Sequence, residues 1–273
     1  MLRKKYIFGV GITDETQENI LKYILQGLKK SGEKYYVVTP NPEILVYAKN
    51  HQDFKAILNN ARLALPDGVG VIWAGKILGK KFSEKVTGTD LLEKLCSGVA
   101  GQPITVGFLG GRDKIAEMTA ECLVSKYPGL KVSFVGSEWK EEGFRVLNPK
   151  LEAGNLKLER NKNLPSNFKL QKSNLQHPVS SLKSIDLLFV AYGFPKQEEW
   201  MSKNLSKLPV KVAIGVGGAF DYISGNVPRA PVSIRKIGFE WLFRLIVQPW
   251  RIKRQLALLE FVWLVFKERI SRS

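Results

Sequence analysis

Polar side chains able to move a proton stand directly after apolar segments of this sequence. Asp67 follows the apolar run of residues 61–65 and precedes Gly68. A carboxylate in that position is either the N-cap of a helix or a general base that takes a proton from a hydroxyl group. Thr39 and Asn41 follow a second apolar run, where such residues are common turn formers. Because ligands of parallel sheets bind outside the carboxyl ends of the strands, these side chains are candidates for one site.

Glycine-rich turns follow three other apolar segments and suit a diphosphate. They contain Gly110 and Gly111, then Gly193, then Gly217 and Gly218. Glycine lets backbone N–H groups approach phosphate oxygens, and the N-terminus of a following helix favours negative charge. Each turn taken alone is equally a tight connection between a strand and a helix. None is a complete G-x-G-x-x-G, and no acidic residue is placed for a nicotinamide cofactor, which argues against a dinucleotide-dependent oxidoreductase.

The elements that position these residues alternate between strand and helix patterns. Residues 104–109 predict a strand, residues 113–126 a helix and residues 131–135 the next strand. This strand–glycine turn–helix–strand unit is typical of a parallel α/β sheet. Further strands are predicted at residues 5–10, 35–39, 61–65, 184–190 and 210–216. We therefore predict an α/β fold with a parallel-sheet, Rossmann-like core and a helical C-terminal appendage.

Composition divides the chain into a core and an appendage. Residues 1–228 predict the α/β catalytic core, with halves at about 1–100 and 103–228. Residues 150–178 interrupt the pattern because they are rich in Asn, Lys, Pro, Ser and Gln, and we interpret them as a surface insertion. Residues 229–273 instead predict helices rich in Trp, Phe, Leu and Arg.

The bulk charge of the chain indicates an anionic partner. Its net charge is +17 over 273 residues, which suits nucleic acid, an anionic membrane or a phosphorylated ligand. Cys96 and Cys122 lie in separate segments and indicate buried thiols in a reducing compartment rather than a disulfide or metal framework. The longest apolar run, residues 256–266, contains Glu260, whereas a membrane span needs about 20 apolar residues. With glycines also interrupting residues 6–12, we predict no signal peptide and a cytoplasmic location.

Basic and aromatic side chains alternate through residues 229–273. The segment has ten basic and three acidic residues, a net charge of +7, with tryptophans and phenylalanines interleaved. This pattern is typical of helices that lie in the interface of an anionic membrane. The alternatives are a terminal helix pair packed on the core with a solvated basic face, and nucleic-acid binding, which no recognition motif supports. We predict peripheral association with the inner face of the cell membrane, no nucleic-acid partner, and self-association into a homo-oligomer away from the membrane.

Eight short motifs, taken in order, resemble those of a known enzyme family. They are Thr39-Pro-Asn-Pro-Glu43, Pro66-Asp67-Gly68-Val-Gly70, Val86-Thr-Gly88-Thr-Asp90-Leu91, Gly107-Phe-Leu-Gly-Gly111, Gly193-Phe-Pro-Lys-Gln-Glu198, Gly215-Val-Gly-Gly-Ala-Phe-Asp221, Arg229-Ala-Pro231 and Gly238-Phe-Glu-Trp-Leu-Phe-Arg244. Together they look like the WecG/TagA/CpsF glycosyltransferase family. The resemblance implies a GT-E-like fold and an inverting, metal-independent transferase of cell-envelope polysaccharide or teichoic acid synthesis. It also implies a UDP-sugar donor, with N-acetylmannosamine as the candidate sugar, and a polyprenyl-diphosphate-linked N-acetylglucosamine acceptor.

The resemblance and the charge pattern together assign roles to individual residues. By resemblance, Asp67 is the candidate catalytic base and Thr39 is its neighbour in the site. The candidate substrate-binding residues are Asn41, Gly110, Gly111, Gln197, Asp221, Arg229, Arg244, Arg251 and Arg254. Lys85 stands where the family often has arginine, and a lysine cannot make the bidentate phosphate contact of an arginine.

Metal chemistry has little support in the sequence. No Asp-x-Asp occurs in the chain, and His51 and His177 do not form a plausible pair of ligands. We therefore predict neither a metal nor a cofactor, so that Arg, Lys and backbone dipoles must stabilise a leaving diphosphate. A non-catalytic, nucleotide-binding membrane scaffold is the main alternative from another functional class.

Overall fold

The computed structural model describes residues 2–29, 33–140, 144–147 and 184–271. The predicted insertion at about 150–178 lies outside the described residues and stays a prediction. The boundary predicted between residues 228 and 229 also stays a prediction.

A seven-stranded sheet forms the centre of the described structure. Across the sheet the strands follow the order β4 (Leu63–Ala64), β3 (Tyr35–Val38), β9 (Val210–Gly215), β8 (Ile185–Ala191), β5 (Thr105–Gly110), β6 (Lys131–Gly136) and β7 (Phe144–Leu147). The first six strands are parallel, and β7 is antiparallel to β6 at the edge. The predicted α/β fold with a Rossmann-like parallel core is therefore confirmed, whereas the sequence patterns did not reveal β7.

The N-terminal strand prediction was wrong. Residues 5–10 do not form one strand, because the chain turns back at Phe8 and Gly9. These two residues have φ angles of 51° and 81°, the left-handed pair that a two-residue hairpin turn requires. The result is an antiparallel hairpin of β1 (Lys4–Ile7) and β2 (Val10–Thr13), separate from the main sheet.

Helices cover both faces of the sheet. They are α1 (Gln17–Lys29), α2 (Pro42–Asn50), α3 (Gln52–Asn60), α4 (Val69–Ile77), α5 (Gly88–Val99), α6 (Ile115–Lys126), α7 (Lys196–Asn204), α8 (Ala219–Ile223), α9 (Val232–Lys236), α10 (Glu240–Val247) and α11 (Ile252–Ile270), with short 3₁₀ turns at Leu205–Lys207 and Pro249–Arg251. The apolar strands separate two hydrophobic clusters. Phe108 and Phe189 face the cluster of α1, α5, α6 and α8, and Leu109 and Val190 face the cluster of α2, α3, α4 and α7. Burial on both faces explains why the strand sequences are continuously apolar.

The connections after neighbouring strands diverge to opposite faces of the sheet. The helices after β5 and β9 (α6 and α8) pack on one face, and those after β3 and β8 (α2 and α7) pack on the other. Such divergence opens a crevice at the carboxyl ends of the strands, which is where ligands of open α/β sheets bind. The sheet topology thus predicts the position of a site before any side chain is considered.

The C-terminal helices border this crevice. Helix α11 packs against α2 and α4, and its Phe261, Leu264 and Val265 are buried in the core cluster. Other apolar side chains of this region remain exposed, Ile246 among them with 72% of its surface accessible. Within the described part of the chain, no helix has the length and apolar character that a membrane span requires.

Candidate active site

A cleft of about 1100 Å³ lies at the carboxyl ends of the parallel strands. The predicted site residues that line it are Thr39, Asn41, Asp67, Gly111, Gln197, Asp221, Arg244, Arg251 and Arg254. They come from the turns after β3, β4, β5, β8 and β9 and from the C-terminal helices, so the fold brings together segments far apart in the chain. A second cleft, of about 910 Å³, is lined by Lys4, Lys34 and Arg62 near the amino ends of β3 and β4, away from the predicted residues.

Asp67 lies between β4 and α4 on the wall of the cleft. Helix α4 begins at Val69 and its N-cap is Gly68, so Asp67 is not the capping residue of this helix. Burial raises the pKa of Asp67 to about 7, and the negative charges of Glu240 and Asp90 act in the same direction. Lys85 and Arg244 act against this rise. A carboxyl group with a pKa close to neutral pH is suited to accept a proton and release it again.

Thr39 and Asn41 are held by hydrogen bonds at the start of α2. The Thr39 hydroxyl donates to the Gly215 carbonyl oxygen at 3.1 Å, which ties the end of β3 to the end of β9. Asn41 is the N-cap of α2, and its Oδ1 accepts a hydrogen bond from the Ile44 backbone N–H at 3.0 Å. Asn41 therefore acts locally as a helix cap. The cap leaves the amide nitrogen of this side chain as a donor at the cleft.

Gln197 joins α7 to the turn after β9. Its side chain is 2% exposed, its Oε1 accepts a hydrogen bond from the Gly217 N–H at 2.9 Å, and its Nε2 donates to Glu198 Oε1 at 2.7 Å. Asp221 stands on α8 beyond the same turn and accepts a hydrogen bond from the Asn226 amide at 3.3 Å. The two residues therefore flank the glycine turn from opposite sides of the sheet.

The Arg244 side chain packs directly against the backbone of the glycine turn after β9. A Cβ atom placed on Gly218 would overlap the Nη2 atom of Arg244. The Arg244 guanidinium group also lies 5.0 Å from the Tyr222 ring centroid, and its Nε donates to Gln248 Oε1 at 3.3 Å. Only glycine lets this cation approach the turn so closely.

Three arginines of the C-terminal helices line the cleft. Arg251 has a buried Nε atom without a hydrogen-bond partner among the described residues. Burial and the positive charges of Arg244 and Arg254 together lower the pKa of Arg251 to about 10, while Glu43 opposes them. Arg254 Nε pairs with Glu43 at 2.7 Å. Crowded guanidinium groups with an unused donor are a strong attractor for a phosphate or diphosphate.

Two predicted residues lie outside the cleft lining. Gly110 is the buried last residue of β5, and a Cβ atom there would come within 2.8 Å of the Ala191 backbone. The guanidinium group of Arg229 pairs with Asp90 at 2.7 Å and with Glu240 at 3.5 Å. Arg229 therefore holds α10 against α5 by its charge.

The sequence patterns missed several residues of the cleft. Glu240 and Trp241 lie on α10, Tyr222 on α8 and Arg112 after β5, and all four line the cleft. Glu240 and Trp241 belong to a motif of the family resemblance, but no local pattern links Glu240 to Asp67. The influence of the Glu240 charge on Asp67 depends on the tertiary position of α10.

The chain matches known proteins over most of its length. Residues 5–145 and 171–273 match the family model described as "Glycosyl transferase WecG/TagA/CpsF family". A Bacillus spizizenii protein is 30% identical over 237 residues, covering 86% of this chain and 80% of its own length. A Bacillus subtilis protein is 29% identical (88% and 86% covered), and a Staphylococcus aureus protein is 27% identical (96% and 92% covered). All three are named N-acetylglucosaminyldiphosphoundecaprenol N-acetyl-beta-D-mannosaminyltransferase. The match extends over most of the chain, and this protein belongs to the WecG/TagA/CpsF family of glycosyltransferases.

Proposed function

We propose that this protein is an inverting, metal-independent glycosyltransferase that moves N-acetylmannosamine from a UDP-sugar to polyprenyl-diphosphate-linked N-acetylglucosamine. The donor sugar and the acceptor follow the names of the relatives. The observation that supports the reaction most directly is the position of Asp67, whose pKa is raised to about 7, in a cleft that also holds a cluster of arginines. A proton acceptor and an anion-binding group are the two requirements for this transfer.

The proposed reaction is a single displacement. The Asp67 carboxylate takes the proton of the acceptor hydroxyl group, whose oxygen attacks the anomeric carbon from the face opposite UDP. A new C–O bond forms while the bond between the anomeric carbon and the diphosphate oxygen breaks, which inverts the configuration. Thr39 and Asn41 orient the reacting sugars, and Gln197 and Asp221 hold the donor.

The leaving UDP carries the charge that the site has to stabilise. Arg244, Arg251 and Arg254 line the cleft, and the buried Nε of Arg251 is available as a further donor. Gly111, Gly217 and Gly218 also line the cleft, where the lack of a side chain lets phosphate oxygens approach the backbone. Guanidinium groups positioned in advance stabilise developing negative charge without a metal ion. The absence of an Asp-x-Asp from the sequence is consistent with this mechanism.

We also propose that the protein works at the surface of an anionic membrane, where its acceptor is anchored. The exposed apolar residues of the C-terminal helices, such as Ile246 and Trp263, can enter the headgroup region. Their basic neighbours meet anionic lipid, and each adds about 1 kcal/mol to binding near such a surface.

The test is acceptor-dependent UDP release in detergent, with EDTA present and a short-chain lipid-diphosphate-N-acetylglucosamine as acceptor. Asp67→Asn should lower kcat by about 10²–10⁴-fold, because general-base catalysis typically contributes that much. Asp53→Asn, at an exposed position of α3, is the matched control and should behave as the wild-type protein. Release that stops with EDTA would overturn metal independence. Equal release from wild type and Asp67→Asn would remove Asp67 as the base, and no release with any UDP-sugar would favour a non-catalytic scaffold.

A further inference from the structure

Glu198 is a fully buried acidic residue next to the cleft. It lies in the first turn of α7, and its exposed fraction is 0%. Glutamate is rarely buried in this way unless it is paired, because removing a carboxylate from water is costly. The reaction proposed above makes no use of this group.

The two oxygens of Glu198 have unequal surroundings. Oε1 accepts the hydrogen bond from Gln197 Nε2 at 2.7 Å, whereas Oε2 has no hydrogen-bond partner among the described residues. Burial raises the pKa of Glu198 to about 7, and the hydrogen bond from Gln197 opposes this rise. A carboxyl group present only for stability would be expected to have both oxygens satisfied. This one has its main polar contact with Gln197.

That contact decides the orientation of the Gln197 amide. The oxygen and nitrogen ends of a glutamine side chain have nearly the same shape, so hydrogen-bond partners select between the two orientations. The Gly217 N–H requires an acceptor, and the Glu198 oxygen requires a donor. A rotated amide would place a donor against a donor at one end and an acceptor against an acceptor at the other.

The oriented amide in turn holds the turn that carries Arg244. The Gly217 N–H donates a hydrogen bond to Gln197, and the Arg244 guanidinium group lies against the next residue, Gly218, at the cleft. A continuous chain of contacts therefore runs from the buried Glu198 to a cation proposed to bind the donor diphosphate.

We propose that Glu198 is a positioning residue of the transfer reaction, which acts by holding the Gln197 amide against Gly217. The proposal rests on the function proposed above. It makes Gln197 the group through which Glu198 acts, and it leaves Glu198 without direct contact to the substrate.

If Glu198 is a positioning residue, its replacement should lower activity without lowering stability. Glu198→Met keeps the approximate length of the side chain and removes both the acceptor and the buried charge. A positioning role predicts lower activity together with an unchanged or higher unfolding midpoint, because replacing a half-satisfied buried carboxyl by an apolar group is often stabilising. A purely structural role predicts a lower midpoint.

The first readout needs no substrate. Hydrogen exchange at the Gly217 backbone amide is measured by NMR in the full chain, for wild type, Glu198→Met and the control Glu199→Gln. Glu199 is the exposed neighbour on the same helix. In Glu198→Met the exchange should be about tenfold faster, because the amide that protects Gly217 is no longer held. An unchanged exchange rate at the Gly217 amide would overturn the proposal, whether or not the protein shows transferase activity.

The second readout is a double-mutant cycle on turnover. Glu198→Met should lower kcat/KM for the donor by about 30-fold, whereas Glu198→Gln, which keeps an acceptor oxygen, should stay within about threefold of wild type. In the Gln197→Ala background, Glu198→Met should add less than about twofold, because residues that act through one contact are not additive. Independent, multiplicative losses would overturn the proposal. If the wild-type protein shows no sugar transfer at all, the proposed function is contradicted. The hydrogen-exchange experiment still decides the role of Glu198 in that case.

Discussion

At the scale of single residues, the pKa of Asp67 depends on burial and on the charged side chains around it. Asp67 is close to the negative charges of Glu240 and Asp90 and to the positive charges of Lys85 and Arg244. Burial is the largest influence on its pKa, and the charges of these neighbours act in addition to it. Two measurements follow from these surroundings.

The first measurement is the pH profile of kcat/KM for Glu240→Gln. The negative charge of Glu240 raises the pKa of Asp67, so removing it should move the acidic limb of the profile to lower pH. The variant keeps the side chains of Asp90, Lys85 and Arg244. Glu260→Gln, at an exposed position of α11, should leave the limb where it is in wild type. If the acidic limb of the pH profile does not move in Glu240→Gln, the ionisation of Asp67 does not determine that limb.

The second measurement is the pH dependence of stability for Asp67→Asn. The pKa of Asp67 in the folded state, about 7, is above its ordinary value of 3.8. Its contribution to the free energy of unfolding is therefore fully present below about pH 3.8 and is lost as pH rises through about 7. Asparagine does not ionise, so the variant should gain stability relative to wild type over this range. Urea midpoints at several pH values test this, and a difference that is independent of pH would contradict it.

At the scale of elements, the turn after β9 decides where the positive charge lies. It joins β9 to α8, receives the Gln197 side chain from α7 and supports Arg244 from α10. Elements that are separated in the chain, the turn after β9, α7 and α10, thus meet at Gly217 and Gly218. Gly218 has an ordinary φ angle of −81°, so its requirement for glycine comes from the close approach of Arg244 rather than from backbone strain.

Gly218→Ala tests this arrangement directly. The added methyl group introduces no backbone strain but displaces the Arg244 guanidinium group, which is the flexible end of a long side chain. The protein should therefore fold normally while KM for the donor rises about tenfold, through lost diphosphate binding. Arg244→Ala is the matched background, where Gly218→Ala should have no further effect. Equal effects of Gly218→Ala in both backgrounds would show that it acts on the turn and not through Arg244.

At the scale of the whole molecule, the mouth of the cleft and the exposed apolar side chains belong to the same region. The net charge of +17 and the C-terminal helices provide the cations and aromatic groups that a membrane surface attracts. Ile246 and Trp263 are 72% and 58% exposed, and neither lines the cleft. Membrane binding and catalysis can therefore be separated by mutation.

Ile246→Ser combined with Trp263→Ser should weaken binding to anionic vesicles by about tenfold or more, because each buried apolar side chain contributes about 1.5–3 kcal/mol at most. UDP release with a soluble short-chain acceptor should stay near wild type. Met118→Ser, at an exposed apolar position of α6, is the control in a sedimentation assay. Undiminished binding of the double variant would place the membrane contact elsewhere on the surface.

Local patterns determined a large part of this structure. The alternation of apolar segments with glycine turns and helix patterns predicted the parallel sheet and most of its strands, because burial on both faces imposes that pattern directly on the sequence. The errors were also local. The turn at Phe8 and Gly9 divided one predicted strand, and β7 carried no strong alternation.

The sequence by itself determined the fold class and, through the order of its motifs, the family and many of the residues that line the cleft. Only the tertiary structure decided what those residues are next to. It brought Glu240 close to Asp67, paired Arg229 with Asp90, placed Arg244 over Gly218 and buried Glu198 against Gln197. The physical reason is that secondary structure follows from neighbours along the chain, whereas pKa values and side-chain orientation follow from neighbours in space.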